Sequence, residues 1–150
     1  DGRYHNKVAI QVIIKMAAAA GVSRVWCGTE GLLSTPAMSA VIRSRSRGLE
    51  GMAPIGGFIL SASHNPGGID EDFGIKYNGE NGGPAPEKVT NLIYTKTTEI
   101  SEYKICNGVP DIDVSKPGTH NVGTDSEPFV VEVFDNTEDH VALLRQVFDF

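Results

Sequence analysis

Three polar residues, Ser63-His64-Asn65, arrive together after the apolar run Gly57–Ser61 (GFILS) and before Pro66-Gly67-Gly68. A serine placed so can act as a nucleophile or a phosphoryl carrier when something stabilises charge on its oxygen. His64 can exchange a proton or, as a cation, stabilise a phosphate, and Asn65 can orient either group by hydrogen bonding. The same residue types also make an ordinary turn, with Ser63 a turn serine, His64 a solvated side chain and Asn65 an Asx-turn residue. Two familiar chemistries fit the pattern badly. There is no G-x-S-x-G elbow, and a histidine directly following its serine seldom suits a serine–base hydrogen bond. The G-x-x-x-x-G-K-[ST] phosphate loop is absent. Lys76 lies thirteen residues past Ser63 on the short strand candidate Gly74–Asn78 (GIKYN). It can return to the same mouth to neutralise phosphate or exchange a hydroxyl proton, or it can be a solvated strand lysine.

The elements that must position these groups alternate between strands and helices. Asn6 is set to cap a helix over Lys7–Ala20, on which Ala9, Ile10, Ile13, Ile14 and Ala17 follow the 3.6-residue period. Gly21 is set to end it in the left-handed conformation. Ser23–Cys27 reads as a strand, and Ser34-Thr35-Pro36 as the entry to a helix running to about Arg45. Gly57–Ser61 is mostly apolar, which predicts a strand buried on both faces. Pro86 starts a helix to about Thr97, Phe129–Phe134 reads as a strand, and Thr137–Phe148 as a last helix. Residues Cys106–Glu127 read as a long irregular connection. The predicted class is α/β, with a parallel or mixed sheet and helices on both faces. In such sheets ligands sit at the carboxyl ends of strands, where the Ser63 loop falls.

Composition narrows the partners. The chain of 150 residues carries 13 Lys+Arg against 19 Asp+Glu, a formal net charge of −6. That balance disfavours nucleic acid, which needs clustered cations; the local basic cluster is Arg43, Arg45 and Arg47. No stretch approaches the ~18 apolar residues of a membrane span. Cys27 and Cys106 make neither a disulfide framework nor a zinc site and fit a reducing compartment. No internal repeat or heptad pattern specifies an oligomer. Of 17 Gly and 8 Pro, fourteen lie between Gly48 and Pro86, which marks functional loops on a rigid scaffold.

Ser61-Ala62-Ser63-His64-Asn65-Pro66-Gly67-Gly68 resembles the active-site serine loop of the α-D-phosphohexomutases, whose usual form is T-A-S-H-N-P. Asp72-Phe73-Gly74-Ile75-Lys76-Tyr77-Asn78 and Asn81-Gly82-Gly83-Pro84-Ala85-Pro86 resemble the branch of that family acting on glucose phosphates. So do Gly31-Leu32-Leu33-Ser34-Thr35-Pro36-Ala37, the opening Asp1-Gly2-Arg3-Tyr4 and the closing Phe148-Asp149-Phe150. The resemblance implies that Ser63 carries a phosphoryl group, giving it to a hexose monophosphate to form glucose 1,6-bisphosphate. The other phosphate then returns to the serine, so glucose 1-phosphate and glucose 6-phosphate interconvert. It implies that Lys76 is the active-site lysine, that His64 and Asn65 shape the phosphoserine site, and that Asn65 and Lys76 meet the substrate. It further implies Mg²⁺, held by the Ser63 phosphate and by aspartates of a D-x-D-x-D-R loop. Gly67 and Gly68 are expected to let the loop turn sharply.

Some features depart from the family pattern. Ser61 replaces the usual Thr, and Ile69-Asp70-Glu71 is acidic beside a phosphate site, which predicts a turn pointing outward. Ser44–Pro54 reads as a variable insertion. The three-aspartate metal loop is absent; Asp111-Ile112-Asp113 has the spacing of a pair only and reads as a solvated turn. Family members are built of four domains, and the resemblance covers most of the first over residues 1–150. The expected partners are therefore the hexose monophosphate and the remaining domains of the same chain, and the fragment alone is expected to be inactive. The alternatives are a mutase acting on mannose or amino-sugar phosphates and a non-catalytic phosphorylated scaffold of the same fold. The expected compartment is cytoplasmic, with the plastid stroma as the alternative.

Overall fold

Apolar side chains spaced by a helical turn, followed by glycine, build the first element, α1 (Asn6–Ala19), in which Ile10 and Ile14 are buried. This is a computed structural model, which describes residues 1–45 and 53–150. The expected insertion at 44–54 lies mostly outside them, as does Arg47. Gly21, at φ +79°, closes α1: its amide donates to the Ala18 carbonyl at 3.1 Å, and the Val22 amide to that of Ala17 at 3.1 Å. That paired closure is the left-handed stop expected of the glycine. Asn6 is not the cap. It is the first helical residue, buried at 3% exposure, and its Nδ2 donates to the Gly31 carbonyl at 3.3 Å. A tertiary acceptor thus takes the amide that a cap would have turned on its own helix.

The chain divides into two compact units. One contains Gly2–Leu32 and Ser101–Asp135. Its mixed sheet runs in the order β1 (Arg24–Gly28), β5 (Val130–Phe134), β4 (Gly118–Asn121), with β1 parallel and β4 antiparallel to β5. The register pairs Arg24 with Val130 and Gly118 with Val133. Val131 and Val133 are buried from the central strand, together with Phe129, Phe134, Val109 and Ile112. On the strands' other face Glu132 accepts from Arg24 at 3.0 Å and from the Trp26 indole at 2.9 Å. Strand β4 corrects the expectation of an irregular 106–127 connection. Its sequence, GTHN, has no apolar alternation, so the ladder offered by β5, rather than local preference, makes it a strand.

The other unit contains Asp1, Leu33–Ile100 and Asn136–Phe150. The Ser34 hydroxyl accepts from the Ala37 amide at 3.3 Å and caps α2 (Thr35–Arg45), as expected of the Ser-Thr-Pro entry. Ala37, Ala40, Val41 and Ile42 of α2 are buried with Ile59 and Leu60 of β2 (Gly56–Leu60). Strand β2 pairs antiparallel with β3 (Ile75–Gly79). It is not buried on both faces: Phe58 is 54% exposed and leans on the Tyr77 ring at 5.5 Å, because this two-stranded sheet has little to cover it. Beyond β3, α3 (Glu87–Glu99) and α4 (Glu138–Val147) complete the unit. Asp139 of α4 holds α2, accepting from Ser44 at 2.7 Å and Arg45 at 3.1 Å. The class is α/β with mixed strand pairing, as the sequence predicts.

Candidate functional site

The antiparallel register brings Ser63 and Lys76 together. Leu60 pairs with Ile75 and Ile59 with Lys76, so residues 61–74 form one loop whose ends are held side by side. The Ser61 amide extends the ladder by donating to the Gly74 carbonyl at 2.8 Å. Glycine is required there, because a Cβ on residue 74 would lie 2.5 Å from the Ser61 carbonyl oxygen. Lys76 thereby stands one residue inside β3, and its Nζ donates to the Ser63 Oγ at 2.6 Å. Both residues are exposed, so the pair is open to a ligand.

The serine backbone is the strained point of the loop. Ser63 has φ +56°, a left-handed conformation that a non-glycine residue adopts at a cost of about 1–3 kcal/mol. Sequence reasoning assigned the sharp turning to Gly67 and Gly68; the serine itself takes a left-handed position. The Ser63 amide donates to the Ser61 Oγ at 3.0 Å, so the hydroxyl retained at position 61 has a task. The Asn65 amide donates to the Ala62 carbonyl at 3.1 Å, closing a turn around the serine. Asn65 Nδ2 donates to Asp72 Oδ2 across the loop at 2.8 Å.

His64 is exposed, and among the described residues no hydrogen bond joins it to Ser63 or Lys76. The structure therefore brings together Ser63, Lys76 and Asn65, and leaves His64 beside them. Asp70 and Glu71 are exposed, and the Glu71 amide closes on the Gly68 carbonyl at 3.4 Å, in keeping with an outward turn. Two residues escaped the sequence reading. Asp72 stood inside a recognised string without a role. Asn78 is buried, and its Nδ2 donates to the Gly82 carbonyl at 2.9 Å, folding the 79–84 turn back on β3. The available signal for it was an asparagine opening the glycine-rich turn Gly79-Glu80-Asn81-Gly82-Gly83.

The donor set for a cation is incomplete. Among the described residues no group of three or more His, Cys, Asp or Glu side chains could hold a metal ion. The expected solvated turn at 111–113 holds only in part: Ile112 is buried, with its backbone held by the Gln11 side chain at 2.9 Å in both directions, while Asp113 sits in an Asx turn. It accepts from the Ser115 hydroxyl at 2.6 Å and amide at 3.0 Å, and those bonds hold its carboxyl below the usual 3.8. No helix among these residues is long and apolar enough to cross a membrane.

A serine held in strain under an ammonium group, at the end of a strand in an α/β scaffold, is a site that can stabilise negative charge on the serine oxygen. The family model described as phosphoglucomutase/phosphomannomutase, alpha/beta/alpha domain I, matches residues 1–104, and the chain belongs to that family. The chain is 59% identical over 150 residues to a protein of Solanum tuberosum named phosphoglucomutase, cytoplasmic, covering all of this chain and 26% of that one. A Pisum sativum protein of the same name is 57% identical with the same coverage. Among solved structures, the open form of the exocytosis-sensitive phosphoprotein pp63/parafusin, a phosphoglucomutase of Paramecium, superposes with a TM-score of 0.90 at 41% identity. That match covers 99% of this chain and 27% of the other. The chain thus spans about a quarter of the length of the relatives it matches.

Proposed function

We propose that Ser63 carries the phosphoryl group in an enzyme interconverting glucose 1-phosphate and glucose 6-phosphate through glucose 1,6-bisphosphate. Residues 1–150 would be its first domain, with the other domains supplied by the rest of a longer chain. The observation that carries this reading is the Lys76 ammonium donating to the Ser63 Oγ. When phosphoserine gives its phosphoryl group to a sugar hydroxyl, the Oγ–P bond breaks as the sugar O–P bond forms. Negative charge develops on Oγ, and an ammonium already placed there stabilises it. The sugar hydroxyl loses one proton and the freed Oγ gains one, so the exchange balances. On the return, Oγ attacks the other phosphorus of the bisphosphate, and Lys76 then faces the incoming phosphate of −1.5 to −2 charge typical of a phosphoserine.

Asn65 and His64 border the site, where they would meet the substrate phosphate. Mg²⁺ chemistry, which would neutralise the transferring phosphoryl group, takes carboxylate ligands that these residues do not assemble; those ligands belong to the remaining chain in this reading. The glucose preference and the cytoplasmic compartment rest on the names of the plant relatives.

The test uses the full-length protein containing these residues. Incubation with glucose 1,6-bisphosphate should leave phosphate on the peptide that holds Ser63, as read by mass spectrometry. Ser63→Ala should lose both the label and mutase activity. Activity retained in Ser63→Ala would overturn the proposal.

A further inference from the structure

We infer that Asp72 is a positioning residue for the Ser63 phosphoryl carrier, acting through Asn65. The inference rests on the reading of Ser63 given above. Its basis is the way residues 61–74 are closed. The ladder bond from the Ser61 amide to the Gly74 carbonyl, at 2.8 Å, pins only the two ends. The tip between them contains a serine at φ +56°, whose hydroxyl is met by the Lys76 ammonium. Such a conformation persists when its surroundings over-determine it. The Ser61 hydroxyl holds the Ser63 amide on one side. Asn65, two residues beyond, is turned back on Ala62 by its own amide, and its side chain is tied across the loop to Asp72 at 2.8 Å.

The chemistry of the tie fixes the orientation of the asparagine. A carboxylate only accepts, so Asn65 must present its NH₂ to Asp72 and turn its carbonyl oxygen elsewhere. A hydrogen bond to a charged acceptor is also stronger than a neutral one. Asp72 stands directly before Phe73-Gly74, where the loop rejoins β3, so it is anchored close to the ladder that carries Lys76. The loop tip and the lysine strand thus share one brace. The negative charge of Asp72 would not by itself favour a phosphate nearby, which places its contribution in the hydrogen bond rather than in the charge.

That distinction gives the test in the full-length protein. Asp72→Ala removes the acceptor, whereas Asp72→Asn keeps an acceptor oxygen for Asn65 and removes the charge. Asp72→Ala should lower kcat about tenfold with KM changed less than about twofold, the loss of one charge-assisted bond felt at the reacting atoms. Asp72→Asn should stay within about threefold of the unmutated protein. In an Asn65→Ala background, Asp72→Ala should add almost nothing, since the two residues would act as one unit. Hydrogen exchange of the 61–74 segment should be faster in Asp72→Ala than in Asp72→Asn. Full activity in Asp72→Ala, or equal damage in both variants, would overturn the inference. If the unmutated protein places no phosphate on Ser63, the functional reading falls. The exchange measurement still decides the brace, because equal exchange in the two Asp72 variants would remove it.

Discussion

Two segments that each present an exposed serine, 61–74 and 111–115, differ in a way that shows what makes one a candidate site. In the 111–115 segment, Ser115 donates to Asp113 two residues earlier, at 2.6 Å, and the Ser115 amide binds the same carboxylate. The partner is local and the demand is met on the spot. In the 61–74 loop, the Ser63 hydroxyl meets Lys76 from the neighbouring strand, thirteen residues on, while its backbone is held left-handed. The first arrangement needs nothing but a turn. The second needs a strand register, a glycine at 74 and a brace across the loop. Residue type alone does not separate them; the origin of the partner does.

The largest effect should come from breaking that imported contact. Lys76→Met in the full-length protein should lower kcat by about 10²-fold or more, as expected for a preorganised charge at the atom where charge develops. Lys76→Arg should recover only part of it, because a planar guanidinium does not reproduce a point ammonium. Steady-state kinetics with glucose 1-phosphate check both. Activity of Lys76→Met near that of the unmutated protein would reduce the Ser63 loop to the same status as the 111–115 turn.

Next in size is the register itself. Gly74→Ala puts a methyl group 2.5 Å from the Ser61 carbonyl oxygen, and that neighbour is ladder backbone with little room to give. It should lower stability by about 1–3 kcal/mol, the range for overpacking. The midpoint of thermal or urea unfolding measures it. Activity should fall further than stability alone explains, since the Ser61–Gly74 ladder also aligns Lys76 with Ser63. An unchanged midpoint would show that the loop base is looser than its geometry.

How much of this was legible beforehand follows the same division between local and imported partners. Features encoded within a few residues were read correctly: the Gly21 stop, the Ser34 cap, and the strand that ends before Ser63. The serine loop and Lys76 were visible through their strings, but their contact was not, because it depends on pairing Ile59 with Lys76. Strand β4 was missed because its partner β5 imposes it. Asn6 was misread because its hydrogen bond goes to Gly31 rather than to its own helix. Asp72 and Asn78 had no local signature beyond being polar near glycines. For Asn6 and β4 the deciding partner lay far along the chain, whereas Asp72 and Asn78 pair within seven and four residues, through side-chain contacts that residue type alone does not specify.

Cys27 extends the comparison to pH. Burial raises its thiol from 9.0 to about 11, so the folded protein holds the proton more tightly than the unfolded chain. The corresponding stability is fully present below pH 9 and is lost as pH rises from 9 towards 11, by about 2–3 kcal/mol at most. Urea unfolding at pH 8 and pH 11 should differ accordingly. Cys27→Ala should flatten that part of the profile. An equally steep profile in Cys27→Ala would assign the alkaline loss to other groups.

The smallest expected effect is at the local turn, and it completes the contrast. Ser115 holds the Asp113 carboxyl low, first through its hydroxyl and then through its amide. The folded pKa lies below the unfolded one, so the contribution is present above pH 4 and lost as pH falls through the lowered value. The group is fully exposed, and solvent screens what it adds. Ser115→Ala removes the hydroxyl bond but leaves the backbone one, so the unfolding midpoint at pH 7 should barely move, as for most surface substitutions. Mutase kinetics should not change. A loss of activity in Ser115→Ala comparable to that in Lys76→Met would mean that a serine satisfied by its neighbour can still belong to the reaction, and the criterion drawn from these two loops would fail.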